Sequence, residues 1–365
     1  MLKKYETNEL PNLRVHGRTD GSRSPIALFW SGSAIEMNVT GSELWLEYES
    51  DFASGETYLR IEIDRAEFSR RMLDEGRHSF CVFRGFGRDE VKNVRIFRET
   101  QASNTSLAIL SLSSDGEFLP VPERRLIEFF GDSVTSGEGL CGAQSMKLWI
   151  PAVFSSRGNY ALRVADELDM DWSIVSQSGW GVYCSWNNIP DNAVPRLYDR
   201  VCAVANSPAQ QRLGAGKLID HNRHRPEITV VNLGANDSGA FNNPAWIDND
   251  GVEHKLRLDS DGKPMESDLR RIGQAVYDFC AAIRLADPDT KLLWCYHMLS
   301  DLTDEVIVDA VSRFAADRGD ENIACVKLPR ADASLNGSRN HPGVGAHRLY
   351  ADAIVGRLRE LGWKA

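Results

Sequence analysis

The hydrophobic pattern of this chain changes period once. From about Pro25 to Leu112, apolar and polar residues alternate with the period of two that marks strands burying one face. The runs are 26–30, 34–39, 44–48, 58–63, 94–97 and 107–112, separated by Gly, Ser and Asp turns. Many short strands at regular spacing, with no helical stretch between them, predict a β-sandwich of the jelly-roll type. Residues 113–123 are polar and then broken by Pro120 and Pro122, the composition of an inter-domain linker.

Beyond the linker, short apolar runs alternate with helical ones. Strands are expected at 126–130, 173–176, 228–233, 291–296 and 323–327. Helices are expected at 160–168, 268–286 and 305–317, and a last amphipathic helix at about 345–361. This alternation predicts a three-layer α/β/α domain, a five-stranded parallel sheet with helices on both faces. The expected division is a β-sandwich over residues 1–122 and an α/β domain over 123–365. The polar insertion 239–267 carries turns at 248–251 and 259–262 and reads as a protruding hairpin. Its aspartates lack the spacing of a calcium loop.

Charge and cysteine usage narrow the partners. A net charge of -10 over 365 residues, with no basic run, argues against nucleic acid. No apolar stretch approaches a membrane span, and the lysines near Met1 lead into no apolar core, so neither a membrane partner nor a signal peptide is expected. The seven cysteines are scattered singly and read as small buried hydrophobes in a reducing cytoplasm. No metal site and no organic cofactor is implied. The oligomeric state is open, and a homo-oligomer is compatible with the sequence.

Candidate chemistry gathers at the strand ends, where ligands bind in open α/β sheets. The first strand stops at Gly131-Asp132-Ser133, which delivers Ser133 to the rim; alone, this tripeptide reads as a turn or a helix cap. The second strand runs into Ser178-Gly179-Trp180-Gly181 and the third into Gly234-Ala235-Asn236-Asp237. Far downstream, His341-Pro342 precedes the final helix. Acyl transfer needs such parts: a hydroxyl to attack, an imidazole to take its proton, and fixed N–H donors for the oxyanion.

In order and separation, Gly131-Asp132-Ser133, Gly179, Gly234-Ala235-Asn236-Asp237 and His341-Pro342 resemble the four blocks of the SGNH (GDSL-type) hydrolases. With the leading sandwich, Gly17-Arg18, Trp30-Ser31-Gly32-Ser33 and Ser178-Gly179-Trp180-Gly181 look like family 2 of the carbohydrate esterases. That family pairs a jelly-roll with an SGNH domain and removes acetyl groups from sugars. The resemblance implies Ser133 as nucleophile and His341 as general base. It implies an oxyanion hole made of the Ser133 and Gly179 backbone N–H groups and the Asn236 side-chain amide. An acetylated carbohydrate or other small ester would be the substrate. Independently of the resemblance, Trp180, Tyr183 and Trp186 cluster after the second block, and Trp180 reads equally as a wall against which a sugar packs or as core packing. Asp132 and Asp237 are expected to hold the turns.

One position departs from the pattern. The family usually has Asp two or three residues before the histidine, where this chain has Arg339 and Ser338. Either a backbone carbonyl orients the imidazole, giving a Ser-His dyad, or Asp332 reaches it from upstream. Two other functions use the same blocks: an inert carbohydrate-binding protein and a sugar O-acetyltransferase. Among the remaining histidines, His347 reads as a packing or capping residue, and His221 and His224 as solvated. His297 ends the fourth strand and is expected to be buried with one hydrogen bond.

Overall fold

The alternating N-terminal residues form eleven strands in the computed structural model, which describes residues 1–52, 55–101, 103 and 105–363. They are β1 (Lys3–Glu6), β2 (Arg14–His16), β3 (Ile26–Ala27), β4 (Ala34–Val39), β5 (Glu43–Phe52), β6 (Tyr58–Ile63), β7 (Ala66–Met72), β8 (Gly76–Arg84), β9 (Lys92–Arg98), β10 (Thr105–Ser114) and β11 (Phe118–Leu119). One antiparallel sheet runs β1-β10-β5-β8 with β3 on β10; the other runs β11-β4-β9-β6-β7 with β2 on β4. Their inner faces share one core that includes Leu44, Leu46, Ile61, Val94, Ile96, Leu107 and Ile109. Each such side chain, fully buried, contributes about 1.5–3 kcal/mol of transfer free energy.

In β10 alternation fails for a local reason. Leu107 and Ile109 face the core, and then Leu112 does. The register of β10 on β5 shifts between Ile109 and Ser111, so the extra residue resets the phase and both ends of the strand bury their leucines. Strands β7 and β8 were not legible from periodicity. β7 (AEFSRRM) has no buried residue and lies at a sheet edge, where charged side chains discourage further pairing.

The chain divides into two units, and two segments from beyond Glu123 join the first: Leu148–Ser156 and Asp199–Ile219, with Met1–Arg124. Buried polar groups tie them to the sandwich. Glu99 accepts from Ser155 Oγ at 2.8 Å and from the Ser156 N–H at 2.8 Å, and pairs with Arg60 and Arg70. Trp30 Nε1 donates to the Val201 carbonyl at 2.7 Å, and Gln210 Nε2 to that of Thr105 at 2.8 Å.

The second unit comprises Arg125–Lys147, Arg157–Tyr198 and Asp220–Ala365. Its sheet is built of β12 (Leu126–Gly131), β13 (Asp171–Ser176), β14 (Ile228–Asn232), then, past the small ladder of β15 (Trp246–Ile247) and β16 (Glu253–His254), β17 (Lys291–Tyr296) and β18 (Ile323–Lys327). The order is β13-β12-β14-β17-β18, all parallel. The connecting helices are α1 (Ser133–Ser136), α2 (Tyr160–Glu167), α3 (Pro208–Arg212, in the first unit), α4 (Ala235–Ala240), α5 (Glu266–Ala286), α6 (Asp304–Arg318) and α7 (Val344–Glu360). Successive residues of β12 point to opposite faces. Phe129 meets Tyr160 of α2 edge-on, and Phe130 meets Phe279 of α5, which fixes one helical layer on each side. The expected α/β/α layering and five parallel strands are present, with ends moved by a residue or two. The hairpin of the insertion closes around its first turn, with Trp246 opposite His254.

Strand order reverses beside β12, so the crevice of such a sheet opens where β12, β13 and β14 end. The sequence blocks stand at those three ends.

Candidate active site

The turn after β12 is set by Asp132, whose Oδ1 accepts the Val134 N–H at 3.0 Å and caps α1. Helix α1 is a single turn, fixed by Thr135 Oγ1 to Tyr160 Oη at 2.8 Å and by Ser136 Oγ to Ser176 Oγ at 2.9 Å. Ser133 is the first residue of that turn. Its backbone N–H has no acceptor among the described residues, as expected of a helix start.

His341 arrives from the loop before α7. Its Nε2 lies 3.0 Å from Ser133 Oγ, and its Nδ1 lies 3.2 Å from the Arg339 carbonyl. A carbonyl only accepts, so Nδ1 carries the hydrogen and Nε2 is left to receive one from the serine. Asp332 is exposed and turned to its own loop, accepting the Ser334 N–H at 2.8 Å.

Gly179 and Asn236 come from the other two strand ends. Gly179 has φ +81°, and a Cβ there would stand 2.9 Å from Trp186 Cδ1, so both backbone and space call for glycine. Its N–H also has no acceptor among the described residues. Asn236 Nδ2 donates to Asp132 Oδ2 and to the Trp180 carbonyl, both at 3.1 Å, binding the three turns together. Asp237 lies beneath, its oxygens accepting the N–H groups of Val182, Tyr183 and Cys184 at 2.8, 2.8 and 3.1 Å. The structure thus brings Ser133 to His341, and ties the Asn236 and Trp180 turns to Asp132. Trp180 is half-buried, while the Trp186 ring rests on Gly179 with half its surface exposed.

Burial sets the electrostatics. Desolvation pushes the Asp132 carboxyl up to about 7 against its bond from Val134, with Glu138 and Asp237 adding to the rise. The Asp237 carboxyl is raised by burial as well. His347 is pulled down to about 3, mainly by burial and then by Arg163 and His341, and its Nδ1 accepts the Tyr160 N–H at 3.0 Å. It caps α2, in line with the sequence reading.

Two other histidines differ from expectation. His224 is not solvated: its Nε2 lies 2.7 Å from Glu128 Oε1, which also accepts from Ser173 Oγ at 2.8 Å. His221 stacks on Tyr198 at 5.1 Å between ring centroids. His297 pairs through Nδ1 with Asp304 Oδ2 at 2.5 Å. The group that sequence reasoning passed over is Glu138. It sits five residues past Ser133, 2% exposed, with Oε1 2.6 Å from Arg339 Nε and 3.7 Å from His341 Nε2. An acid inside an otherwise small and glycine-rich turn was the available signal.

Known proteins share this arrangement of chain. Residues 15–122 match the family described as Carbohydrate esterase 2 N-terminal. The acetyl xylan esterase Est2A from the rumen bacterium Butyrivibrio proteoclasticus superposes with a TM-score of 0.97 at 36% identity, covering 100% of this chain and 99% of that one. The cellulase/esterase CelE of Acetivibrio thermocellus is 24% identical over 360 residues, 97% of this chain and 40% of that protein. An acetylxylan esterase / glucomannan deacetylase of Cellvibrio japonicus is 26% identical over 266 residues, 66% of this chain and 65% of its own. The chain therefore spans less than two thirds of either of these two curated relatives. With full-length similarity to Est2A and the matching N-terminal region, this chain belongs to family 2 of the carbohydrate esterases.

Proposed function

We propose that the chain is a serine esterase that removes acetyl groups from a carbohydrate through a Ser133-His341 dyad. The observation that carries this reading is the pair of distances at His341, 3.0 Å to Ser133 Oγ and 3.2 Å to the Arg339 carbonyl. Ser133 Oγ attacks the ester carbonyl carbon while its proton passes to His341 Nε2. The carbonyl oxygen becomes an oxyanion facing the Ser133 and Gly179 N–H groups and the Asn236 amide. The imidazolium then returns the proton to the sugar oxygen as the carbon–oxygen bond breaks. Water, deprotonated by the same imidazole, releases acetate and restores the serine. Asn236 donates to two protein acceptors, so in this scheme the oxyanion takes a share of one of those N–H groups as charge develops.

Relatives whose names carry acetylxylan and glucomannan deacetylation support the substrate class. Trp180, with Trp186 beside it, supplies aromatic surface next to the hole for a sugar ring. Among the described residues no helix is long and apolar enough to cross a membrane. The cytoplasmic placement rests on seven unpaired thiols.

The test is hydrolysis of 4-nitrophenyl acetate, butyrate and octanoate, and of acetylated xylan and glucomannan, by wild type, Ser133→Ala and His341→Ala. Acetate is expected to lead, and each variant to lose about 10³-fold or more in kcat. A wild type no faster than Ser133→Ala on every ester refutes the esterase. Calorimetry with the same polysaccharides then becomes the test of a binding protein.

A further inference from the structure

The position that departs from the family pattern is occupied by Arg339, and what the fold builds around it is specific. Arg339 and Asn340 both have left-handed backbones, with φ +59° and +58°, immediately before His341. Two consecutive non-glycine residues in that region cost on the order of 1–2 kcal/mol each and need outside support. Both are held from the segment that follows the serine turn. Arg339 Nε donates to Glu138 Oε1 at 2.6 Å and its Nη1 to the Lys147 carbonyl at 2.9 Å. Lys147 Nζ donates to Asn340 Oδ1 at 2.6 Å, and the Ser338 N–H to the Gly139 carbonyl at 3.1 Å. The carbonyl presented by this strained pair is the one that accepts from His341 Nδ1.

We propose that Glu138 is the acidic positioning residue of this site, standing in for the aspartate absent before His341; this deepens the esterase reading and rests on it. Glu138 acts in two ways. Through Arg339 it pins the backbone carbonyl that fixes the imidazole's tautomer. Through space, its carboxylate lies 3.7 Å from the nitrogen that becomes N–H when Ser133 gives up its proton. Within the second unit, the other charged or titratable groups acting here are Arg339 on the histidine loop, Lys147, whose ammonium is bound to Asn340, His347 on α7, and Asp132, which Glu138 perturbs. His347 is held neutral. Removing Glu138 therefore leaves the Arg339 cation unbalanced next to a developing imidazolium, a penalty in the transition state rather than in binding.

The experiment compares wild type, Glu138→Gln and Arg339→Gln on 4-nitrophenyl acetate, across pH, with thermal melting as the folding check. Glu138→Gln is expected to lower kcat about 10- to 100-fold with KM within about threefold, and to move the acid limb of kcat/KM about 0.5–1 pH unit lower. Arg339→Gln keeps the backbone carbonyl but leaves the carboxylate uncompensated, so its limb moves to higher pH. A purely structural role gives no such opposite shifts. Nuclear magnetic resonance titration of the His341 ring in the three proteins reads the same signs without turnover. Inactive wild type with opposite ring shifts thus sinks the esterase while sparing the positioning role. Glu138→Gln with wild-type kcat and acid limb, or two variants shifting the ring in the same direction, overturns the proposal.

Discussion

His347 is expected to make the second unit acid-labile, and the size of the effect follows from its surroundings. The ring is fully buried in α7 against Tyr160, at 5.8 Å between centroids, and its Nδ1 lone pair caps α2. Burial and the nearby Arg163 hold its pKa near 3 in the folded protein, against 6.5 for an ordinary imidazole. A group depressed on folding contributes stability that is complete above its unfolded pKa and is lost as pH falls toward the folded one. Integrating proton uptake between those limits gives a loss of about 2 kcal/mol at pH 5 and about 3 kcal/mol at pH 4, relative to pH 7.5. Asp132 runs the other way: its raised carboxyl keeps a proton that the unfolded chain releases, so its contribution fades as pH rises from about 4 to about 7. The wild-type curve alone mixes the two. His347→Gln separates them, because a glutamine oxygen can accept the Tyr160 N–H but does not titrate. Melting temperatures of both proteins at pH 5 and 7.5 are the assay. For a unit of this size 2 kcal/mol corresponds to about 4–8 °C, so the advantage of wild type over His347→Gln should shrink by that much on acidification. Parallel pH dependences of the two proteins would refute the reasoning.

Two further substitutions probe the turns. Asn236→Ala removes a donor to the proposed oxyanion together with the bonds to Asp132 and Trp180, and should lower kcat on 4-nitrophenyl acetate by about 10²–10³ with a much smaller change in KM. A KM effect alone, with kcat intact, would assign Asn236 to holding the turns. Gly181→Ala places a Cβ 2.1 Å from Asp237 Oδ2 and 2.5 Å from the Cys184 carbonyl. Asp237 must then give up bonds to the 182–184 amides, each worth about 1.5–3 kcal/mol when the acceptor is charged, so scanning calorimetry should show a melting point lower by 5 °C or more. An unchanged melting point would mean that the loop holds without that carboxylate.

The sequence revealed what has local cause. A buried run ending in glycine and a small polar residue announces a strand end, and the serine, glycine and asparagine blocks stand at β12, β13 and β14. Strands β7 and β8 escaped because their side chains are largely polar and exposed, so no alternation marks them. The assignment of 148–156 to the first unit escaped for another reason. It depends on Glu99, which is buried and pairs with Arg60 and Arg70, and nothing near Ser155 announces a carboxylate 56 residues earlier. The histidine's support is the same kind of problem in a sharper form. An acid is expected two or three residues before His341 because proximity in sequence is the cheapest way to hold an acceptor beside an imidazole. Here a carbonyl holds the ring, and a carbonyl has no sequence signature. The carboxylate that secures it is 201 positions from Arg339, on the serine's own turn. Such an arrangement couples the two reacting side chains through one short segment: Glu138 donates its N–H to the Ser133 carbonyl at 3.0 Å and grips the histidine loop with its side chain. Any displacement of that segment moves nucleophile and base together. This favours keeping the 3.0 Å contact between them even where the loop backbone is strained.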